Sequence, residues 1–316
     1  MENYKNKTVL VTGGGGFIGT NLVRGLINQR AKVCLFLRPN SNTWRLKDIL
    51  SKTKIFQVDI TNEKAVSKTI KIINPQIIFH LAVYGAYPTQ TELLPIIKTN
   101  VLGTTNLLEA TKNINYLSFI NTGTSSEYGY KNKPMKETDS LEPTFFYATS
   151  KAATSLFCRV FAKEFNKPII TLRPFSAYGD WEEPGRFIPT IITQCLVKQP
   201  IKLIPGKQVR DFLYVEDVVK AYLAAGLKSD LKGEIFNIGS GKQYLVSEVA
   251  KKIVKLINNP VKVIIGAYPP RQWDTCSWQA DITKVKKILK WQPQFSLDAG
   301  LQKAINWYKN NLRYYE

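Results

Sequence analysis

A tyrosine and a lysine spaced four apart, Tyr147 and Lys151 in YATSK, could together carry out proton transfer. Residues with this spacing share one face of a helix. A lysine ammonium close to a phenol stabilises the phenolate and lowers the phenol pKa from about 10. Such a phenol can act as a general acid or base near neutral pH. The YxxxK pattern is frequent by chance, so its meaning depends on the elements around it.

Hydroxyl-bearing residues precede this pair in the stretch NTGTSSEYG, residues 121–129. They begin within the end of the run YLSFINTGT, residues 116–124, whose apolar and β-branched residues predict a strand. Ligands of open α/β sheets bind outside the carboxyl ends of the strands. The hydroxyls and the YxxxK pair are therefore expected at one sheet edge.

Glycines recur at a fixed spacing near the start of the chain. Gly13, Gly16 and Gly19 form GxxGxxG between the strand-like run TVLVTG and the helical run FIGTNLVRGLIN. In such a unit the first glycine permits a tight turn, the second admits a pyrophosphate, and the third lets helix and strand pack. The backbone N–H groups of Phe17 and Ile18 would face that anion. The sequence predicts a dinucleotide site, and the alternative is a glycine-rich loop without a ligand.

The residues after the second strand-like run, KVCLFLR, bear on the choice of cofactor. NAD sites usually place an acid there for the ribose hydroxyls, whereas an arginine suits the 2′-phosphate of NADP. Here the run ends in Leu37 and Arg38, and Ser41 and Arg45 could assist. We therefore predict a preference for NADP(H), with NAD(H) possible. The alternative is that Arg38 only covers the adenine ring.

Strand-like and helical runs alternate along the first half of the chain, and LLPIIKTNVLGTTNLLEATKN and FFYATSKAATSLFCRVFAKEF predict long helices. This order predicts an α/β fold, a Rossmann-type doubly wound parallel sheet with a smaller C-terminal α/β substrate-binding region. We expect residues 1–174 to form the NAD(P)-binding domain, with later segments returning to it. Residues 175–316 are expected to be mainly the substrate-binding region.

Further motifs occur along almost the full length, in the order HLA, NVLGTTNLLEA, TSSEYG, YATSK, LRPFSAYG, VRDFLYVEDV, FNIGSG and RQWD. Together with TGGGGFIG, this series resembles the extended short-chain dehydrogenase/reductase family, in its nucleotide-sugar epimerase, dehydratase and reductase branch. The resemblance implies an NAD(P)-dependent enzyme whose substrate is a nucleoside-diphosphate sugar.

The resemblance also implies roles for individual residues. Thr124 would hydrogen-bond the sugar oxygen, Tyr147 would exchange its proton, and Lys151 would bind the nicotinamide ribose and tune Tyr147. Arg210 and Arg271 would clamp the nucleotide diphosphate through bidentate contacts. Asn100 matches a structural asparagine of the family. The other expected contacts are to the cofactor for Asp59, Ile60, Leu81, Ala82 and Pro174, and to the substrate for Tyr84, Ser125, Ser126, Ser176 and Arg186.

Departures from the family pattern limit which of the family's reactions we expect this protein to catalyse. Ser125 and Ser126 stand where the sugar 4,6-dehydratases carry Asp-Glu, so elimination of water lacks its acid and base. The missing acid at Leu37 counts against the epimerases, which generally keep NAD bound. We therefore predict an NADPH-dependent oxidoreductase that reduces a 4-keto-(deoxy)hexose linked to a nucleoside diphosphate. Alternatives are an NAD-dependent nucleotide-sugar 4-epimerase and, as a weaker option, a non-catalytic cofactor-sensing or nucleic-acid-associated protein.

The composition limits which binding partners and which cellular compartment we expect for the protein. The formal net charge of +20 favours anionic partners, but Lys and Arg form no block, so we do not expect nucleic-acid binding. No run approaches the roughly 20 apolar residues of a membrane span. Four separated cysteines and no visible secretory signal indicate a cytoplasmic protein without a metal site. The NVLGTTNLLEA helix and the helix near Phe145 carry small and apolar residues on shared faces. Because such helices pair across a dimer in the family, the resemblance predicts a homodimer.

Overall fold

The protein was analysed as a computed structural model that describes residues 3–87, 89–205, 208–267 and 275–315. It divides into two compact units, which are described separately. Unit 1 comprises Met1–Gly129, Ser140–Pro174 and Val219–Asn237, and unit 2 comprises Tyr130–Asp139, Phe175–Val218 and Ile238–Glu316. The assignment of cofactor binding to residues 1–174 and of substrate binding to residues 175–316 stays a prediction.

The strands and helices are named in chain order. The strands are β1 Thr8–Thr12, β2 Lys32–Leu37, β3 Lys54–Gln57, β4 Ile77–His80, β5 Ser118–Thr122, β6 Ile169–Pro174, β7 Ser176–Tyr178, β8 Ile201–Leu203, β9 Val209–Arg210, β10 Phe212–Tyr214, β11 Glu234–Ile238, β12 Tyr244–Leu245 and β13 Val263–Ile265. The helices are α1 Phe17–Asn28, α2 Glu63–Ile73, α3 Leu93–Ile96, α4 Gly103–Thr111, α5 Phe146–Glu164, α6 Phe187–Leu196, α7 Val215–Gly226, α8 Val246–Ile257, α9 Thr283–Leu289 and α10 Leu297–Asn311.

A seven-stranded sheet forms the centre of unit 1, in the order β11-β6-β5-β4-β1-β2-β3. The strands from β6 to β3 pair in parallel. Strands buried on both faces read as continuous apolar runs, and β4 and β6 are buried at every position. The predicted α/β class with a Rossmann-type parallel sheet is confirmed.

The core on one face of this sheet is closed by α2, α4 and α5. Leu10 of β1, Ile78 of β4 and Phe119 of β5 pack there against Val66 of α2 and Leu107 of α4, and all five are fully buried. Each such side chain contributes about 1.5–3 kcal/mol on burial. This packing holds the strand ends in a fixed relation.

The predicted long helix that includes NVLGTTNLLEA is interrupted. Helix α3 ends at Ile96, the segment Ile97–Leu102 is a π-helical turn, and α4 then begins at Gly103. π turns are rare and recur at functional sites. The turn carries Asn100, whose side chain is buried and makes contacts described below.

In its described residues, unit 2 contains three two-stranded pairings and several amphipathic helices. Strands β7 and β10 pair in parallel, as do β8 and β13, whereas β9 and β12 are antiparallel. Helices α6, α8 and α10 pack against one another. Asp211, between β9 and β10, is fully buried and accepts hydrogen bonds from the backbone N–H groups of Ser240, Gly241 and Ala280 at 2.7, 3.1 and 3.0 Å. Asp211 therefore anchors the loop after β11.

Within the described residues, no helix has the length and apolar character needed to cross a membrane.

Candidate active site

The glycine turn, residues 13–16, joins the end of β1 to the start of α1 in unit 1. Gly13 has φ +71°, and a Cβ there would lie 2.5 Å from the backbone N of Ala82 and C of Leu81. A Cβ on Gly19 would lie 2.9 Å from the Cα of Gly14. Real Cβ atoms do not approach backbone this closely, so packing within the chain requires glycine at 13 and 19.

Of the three glycines between them, Gly15 and Gly16 are not required by packing within the protein. A Cβ on Gly15 would meet nothing closer than 3.5 Å, and one on Gly16 would meet only the carbonyl O of Gly13, at 3.3 Å. Gly16 is the N-cap of α1, no side chain caps this helix, and its first turn carries no acid. Space beside uncapped N–H groups of Phe17 and Ile18 fits the pyrophosphate of a dinucleotide.

Most of the other predicted cofactor residues lie just after the carboxyl ends of β2, β3 and β4. Arg38 is exposed after β2. Asp59 follows β3 and accepts hydrogen bonds from the N–H and O–H groups of Thr61 at 2.9 and 2.8 Å. Ile60 is buried against Gly103. Leu81 and Ala82 follow β4, and Pro174 lies buried at the end of β6.

The chain's only histidine, His80, lies at the end of β4 in a directed chain of hydrogen bonds. Thr104 Oγ1 donates its proton to the carbonyl O of Asn100, so the 2.9 Å bond from His80 Nε2 to Thr104 must be donated by Nε2–H. Nδ1 then accepts from Thr12 Oγ1 at 2.7 Å, and Thr12 Oγ1 accepts from the N–H of Ala82. The geometry thus selects the neutral Nε2–H tautomer.

Electrostatics agree with this assignment. Burial, and to a lesser degree the Lys151 ammonium, lowers the pKa of His80 to about 3. The imidazole therefore stays neutral at physiological pH and serves as a structural link between β1 and α4.

Asn100 in the π turn connects the loop after β4 to helix α5. Its Oδ1 accepts from the N–H of Tyr84, and its Nδ2 donates to the carbonyl O of Tyr84 and to Ser150 Oγ, each at 2.8 Å. Ser150 Oγ in turn donates to the carbonyl O of Tyr147 at 2.7 Å. The Tyr84 hydroxyl donates to Glu92 at 2.6 Å.

Tyr147 and Lys151 lie one turn apart at the start of α5. Tyr147 is half-buried and stacks on Phe145 with ring centroids 6.0 Å apart. The loop after β4 passes beside it, because a Cβ on Gly85 would lie 3.3 Å from the Cβ of Tyr147. Lys151 is buried, and burial lowers the pKa of its ammonium while the carboxylate of Glu127 opposes that shift.

Thr124 precedes a 3-10 turn, Ser125–Tyr128, that follows β5. Its Oγ1 accepts from the N–H of Ser126 at 3.2 Å, and this bond does not use the hydroxyl proton. Its own N–H donates to the carboxylate of Glu127 at 2.8 Å, so side chain and backbone form a reciprocal cap. Thr124 is half-buried, and Ser125 is buried.

Sequence reasoning missed Glu127 and Arg173. Both are buried, and Arg173 Nε donates to Glu127 Oε2 at 2.7 Å. Burial raises the pKa of the Glu127 carboxyl, whereas the guanidinium of Arg173 lowers it. The available signal was an arginine inside the apolar strand PIITLRPF, because a buried charge needs a partner.

The predicted substrate residues of unit 2 have the following places. Ser176 begins β7, and its N–H donates to the carbonyl O of Asp211 at 3.0 Å. Arg210 ends β9, is half-buried and lies 5.5 Å from the Trp278 ring centroid. Arg186 immediately precedes α6. Arg271 lies outside the described residues.

Across the described ranges, no three His, Cys, Asp or Glu side chains form a group that could hold a metal ion.

Comparison with known proteins gives matches over nearly the whole chain. The model of the NAD dependent epimerase/dehydratase family matches residues 9–239. A UDP-glucuronate 4-epimerase of Thermodesulfobacterium geofontis is 29% identical and covers 96% of this chain and 96% of its own length. A Bacillus subtilis protein described as an uncharacterized UDP-glucose epimerase is 30% identical, over 94% of this chain and 96% of its own. The crystal structure of UDP-glucose 4-epimerase of Thermotoga maritima with UDP-glucose has a TM-score of 0.89 at 27% identity, covering 96% of this chain and 99% of that one.

These matches confirm the resemblance inferred from the motifs. The glycine turn, the YxxxK pair on α5 and the parallel sheet all belong to the part of the chain that the family model matches. The protein is an enzyme of the extended short-chain dehydrogenase/reductase type, and it belongs to the NAD-dependent epimerase/dehydratase family.

Proposed function

We propose that the protein is a nucleotide-sugar 4-epimerase, which inverts C4 of a hexose linked to a nucleoside diphosphate. The observation that carries this proposal is a set of hydrogen bonds that joins α5, the helix of Tyr147 and Lys151, to the Thr124 turn and to the loop after β4. Relatives named as 4-epimerases along nearly the full length support it. They favour this alternative over the reductase that the sequence first predicts.

The residues of this site divide the chemistry among themselves. When bound, the nicotinamide supplies the hydride acceptor and donor at the sugar carbon. Tyr147 takes the C4 hydroxyl proton during oxidation and returns it during reduction, and Lys151 stabilises the phenolate between the two steps. Thr124 donates its hydroxyl proton in a hydrogen bond to the same sugar oxygen. Oxidation and reduction cancel, so epimerisation consumes no cofactor.

Positively charged residues are proposed to bind the diphosphate. Arg186, Arg210 and Arg271 supply guanidinium groups, whose planar donors match phosphate oxygens. Tyr84, Ser125, Ser126 and Ser176 would line the sugar. Ser125 and Ser126 carry no carboxyl group, which argues against a dehydratase.

A reductase that uses NADPH is the second candidate, and the end of β2 favours it. Arg38 is exposed there, and Leu37 occupies the position expected for a ribose-binding acid. Arg45 is only 4% exposed and stacks on Trp44, which leaves Arg38 as the basic residue better placed to meet a 2′-phosphate. If this candidate is correct, Arg38→Ala raises the Kd of NADPH roughly tenfold and leaves that of NADH unchanged. Equal or tighter binding of NADH by the wild type would exclude the preference.

The two candidates differ in stoichiometry. The purified protein is incubated with UDP-glucose or UDP-glucuronate and NAD, and the products are followed by NMR. An epimerase converts the sugar to a mixture of C4 epimers without a net change at the nicotinamide absorption band. Consumption of one NADPH per 4-keto sugar, with no epimer formed from either UDP-sugar, would replace the epimerase proposal with the reductase. Tyr147→Phe is the control for catalysis by this site.

We further propose that the enzyme is a homodimer. Large apolar side chains on the face formed by α3, the π turn and α5 are exposed, including Leu94 at 66%, Phe157 at 53% and Val160 at 58%. Large exposed apolar side chains on elements that pack side by side are typical of an association surface. A second copy of the chain could cover it with the same helices, as a two-fold interface requires. Light scattering measures the mass directly.

A further inference from the structure

Glu127 and Arg173 form an ion pair at the carboxyl ends of β5 and β6. The exposed fraction of the side chain is 0% for Glu127 and 1% for Arg173, and the Nε–Oε2 distance is 2.7 Å. A buried ion pair can often be replaced by apolar residues of similar volume without loss of stability. Its presence therefore needs an explanation other than stability.

The hydrogen bonds of the second carboxylate oxygen of Glu127 suggest a reason for keeping the ion pair. Oε1 accepts from the backbone N–H of Thr124 at 2.8 Å and from Ser155 Oγ at 3.0 Å. Ser155 lies on α5, one turn beyond Lys151. One carboxylate therefore joins the backbone of Thr124 to the helix that carries Tyr147 and Lys151.

The packing around this carboxylate leaves no room for a side chain at residue 123. A Cβ on Gly123 would lie 2.5 Å from Glu127 Oε1 and 3.0 Å from Arg173 Cγ. The residue before Thr124 must therefore be glycine for the carboxylate to reach its position. This dependence gives Gly123 a physical role that spacing alone did not reveal.

The arginine extends the same network away from the site. Its NH1 donates to the Tyr128 hydroxyl at 2.9 Å, and its guanidinium carbon lies 4.7 Å from the Tyr128 ring centroid. The Tyr128 hydroxyl donates to Asn237 Oδ1 of β11 at 2.7 Å. Arg173 is thus held by the fully buried Tyr128, and Glu127 is held by the fully buried Ser155 and by the backbone of Thr124.

We propose that Glu127 and Arg173 act as a positioning clamp, which fixes Thr124 relative to Tyr147 and Lys151 through the two hydrogen bonds to Glu127 Oε1. Both are positioning residues, since they act through Thr124 and α5. The inference rests on the proposed role of Thr124 in sugar chemistry. Misplacement of a reacting group by about 1 Å can lower the rate roughly 100-fold, so the clamp affects the rate more than cofactor affinity.

The test compares two double variants, Glu127→Gln/Arg173→Met and Glu127→Leu/Arg173→Met. Removing one partner alone would leave a buried charge without its counterion, at a cost of about 3–5 kcal/mol. Methionine at 173 avoids this in both variants. Glutamine keeps an acceptor for Thr124 N–H and Ser155 O–H, whereas leucine of similar size does not. The matched pair therefore isolates the Oε1 hydrogen bonds.

We expect the leucine variant to have a kcat roughly 10–100-fold below that of the glutamine variant. The dinucleotide Kd is expected to differ less than threefold, because the glycine turn is unchanged. Hydrogen exchange at the Thr124 amide should quicken in the leucine variant alone. Equal kcat values, or equal exchange at Thr124, would overturn the clamp. If the wild type has neither epimerase nor reductase activity, the proposed function fails, and Thr124 exchange still decides whether the clamp holds this backbone.

Discussion

Replacing Gly19 with alanine should destabilise unit 1, because the close approach of α1 to the glycine turn leaves no room for a methyl group. The new Cβ would lie 2.9 Å from Gly14 Cα and 3.0 Å from Gly13 C, and closer still to Gly13 O. All three are backbone atoms, so relief requires the turn and α1 to separate. Overpacking typically costs about 1–3 kcal/mol. Since backbone rather than flexible side chains must move, we expect a cost of about 3 kcal/mol.

The higher helix propensity of alanine partly offsets this loss of stability. Alanine is favoured over glycine inside a helix by about 1 kcal/mol, and Gly19 lies in α1. The net loss is therefore about 2 kcal/mol. For a domain of about 150–250 residues, this lowers Tm by roughly 4–8 °C.

Two substitutions in the same turn are matched controls. Alanine at Gly15 would make only ordinary contacts, the nearest with Asn42 O at 3.5 Å, so its Tm should equal or slightly exceed that of the wild type. Alanine at Gly16 should leave the fold intact but occupy the space proposed for the pyrophosphate. We expect the dinucleotide Kd of this variant to rise roughly tenfold or more.

Thermal unfolding and dinucleotide titration of the three variants test this reasoning. Equal Tm values for Gly19→Ala and Gly15→Ala would refute the packing argument. Equal dinucleotide affinity of Gly16→Ala and Gly15→Ala would refute the placement of the pyrophosphate.

Three further predictions concern the catalytic tyrosine, the histidine and the apolar face. Tyr147→Phe should lower kcat roughly 10²–10⁴-fold, measured by steady-state kinetics, with the dinucleotide Kd nearly unchanged; a kcat within twofold of wild type would remove Tyr147 from the mechanism. His80, whose folded pKa is about 3, should give one imidazole NMR signal of the Nε2–H tautomer that does not titrate above about pH 4. Because only the unfolded chain takes up that proton, stability should fall by roughly 1.4 kcal/mol per pH unit from about pH 6.5 towards pH 3, relative to a His80→Gln variant; an imidazole titrating near pH 6.5 would contradict this. Leu94→Glu combined with Phe157→Glu should reduce a dimer to a monomer in light scattering, whereas Ile72→Glu, at an equally exposed residue of α2, should not; a monomeric wild type would contradict the dimer.

Much of the fold could be predicted from local pattern. The runs FIGTNLVRGLIN and LDAGLQKAINWYKNN coincide with α1 and α10, because their apolar periodicity and their end residues are local properties. The strands β1 to β6 lie within apolar runs rich in β-branched residues, which are also a local signal. The short pairings of unit 2 carry no such signal, since a strand of two or three residues is too short to show a period. The π turn was also missed, because its apolar pattern is that of an α-helix.

In the candidate site, too, only the features with a local sequence signal could be predicted. The glycine spacing and the YxxxK pair are local, so both can be recognised as motifs in the amino-acid sequence. The ion pair of Glu127 and Arg173 joins residues 46 positions apart, and no periodicity relates them.

The amino-acid sequence by itself determined the alternation of strands and helices from β1 to β6, the glycine turn and the family, because each depends on neighbouring residues or on a short motif. Tertiary structure alone decided which glycines are needed for packing, which tautomer His80 adopts, and what fixes Thr124 beside α5. These depend on atoms that approach within hydrogen-bond or van der Waals distance only after the sheet has brought distant strand ends together.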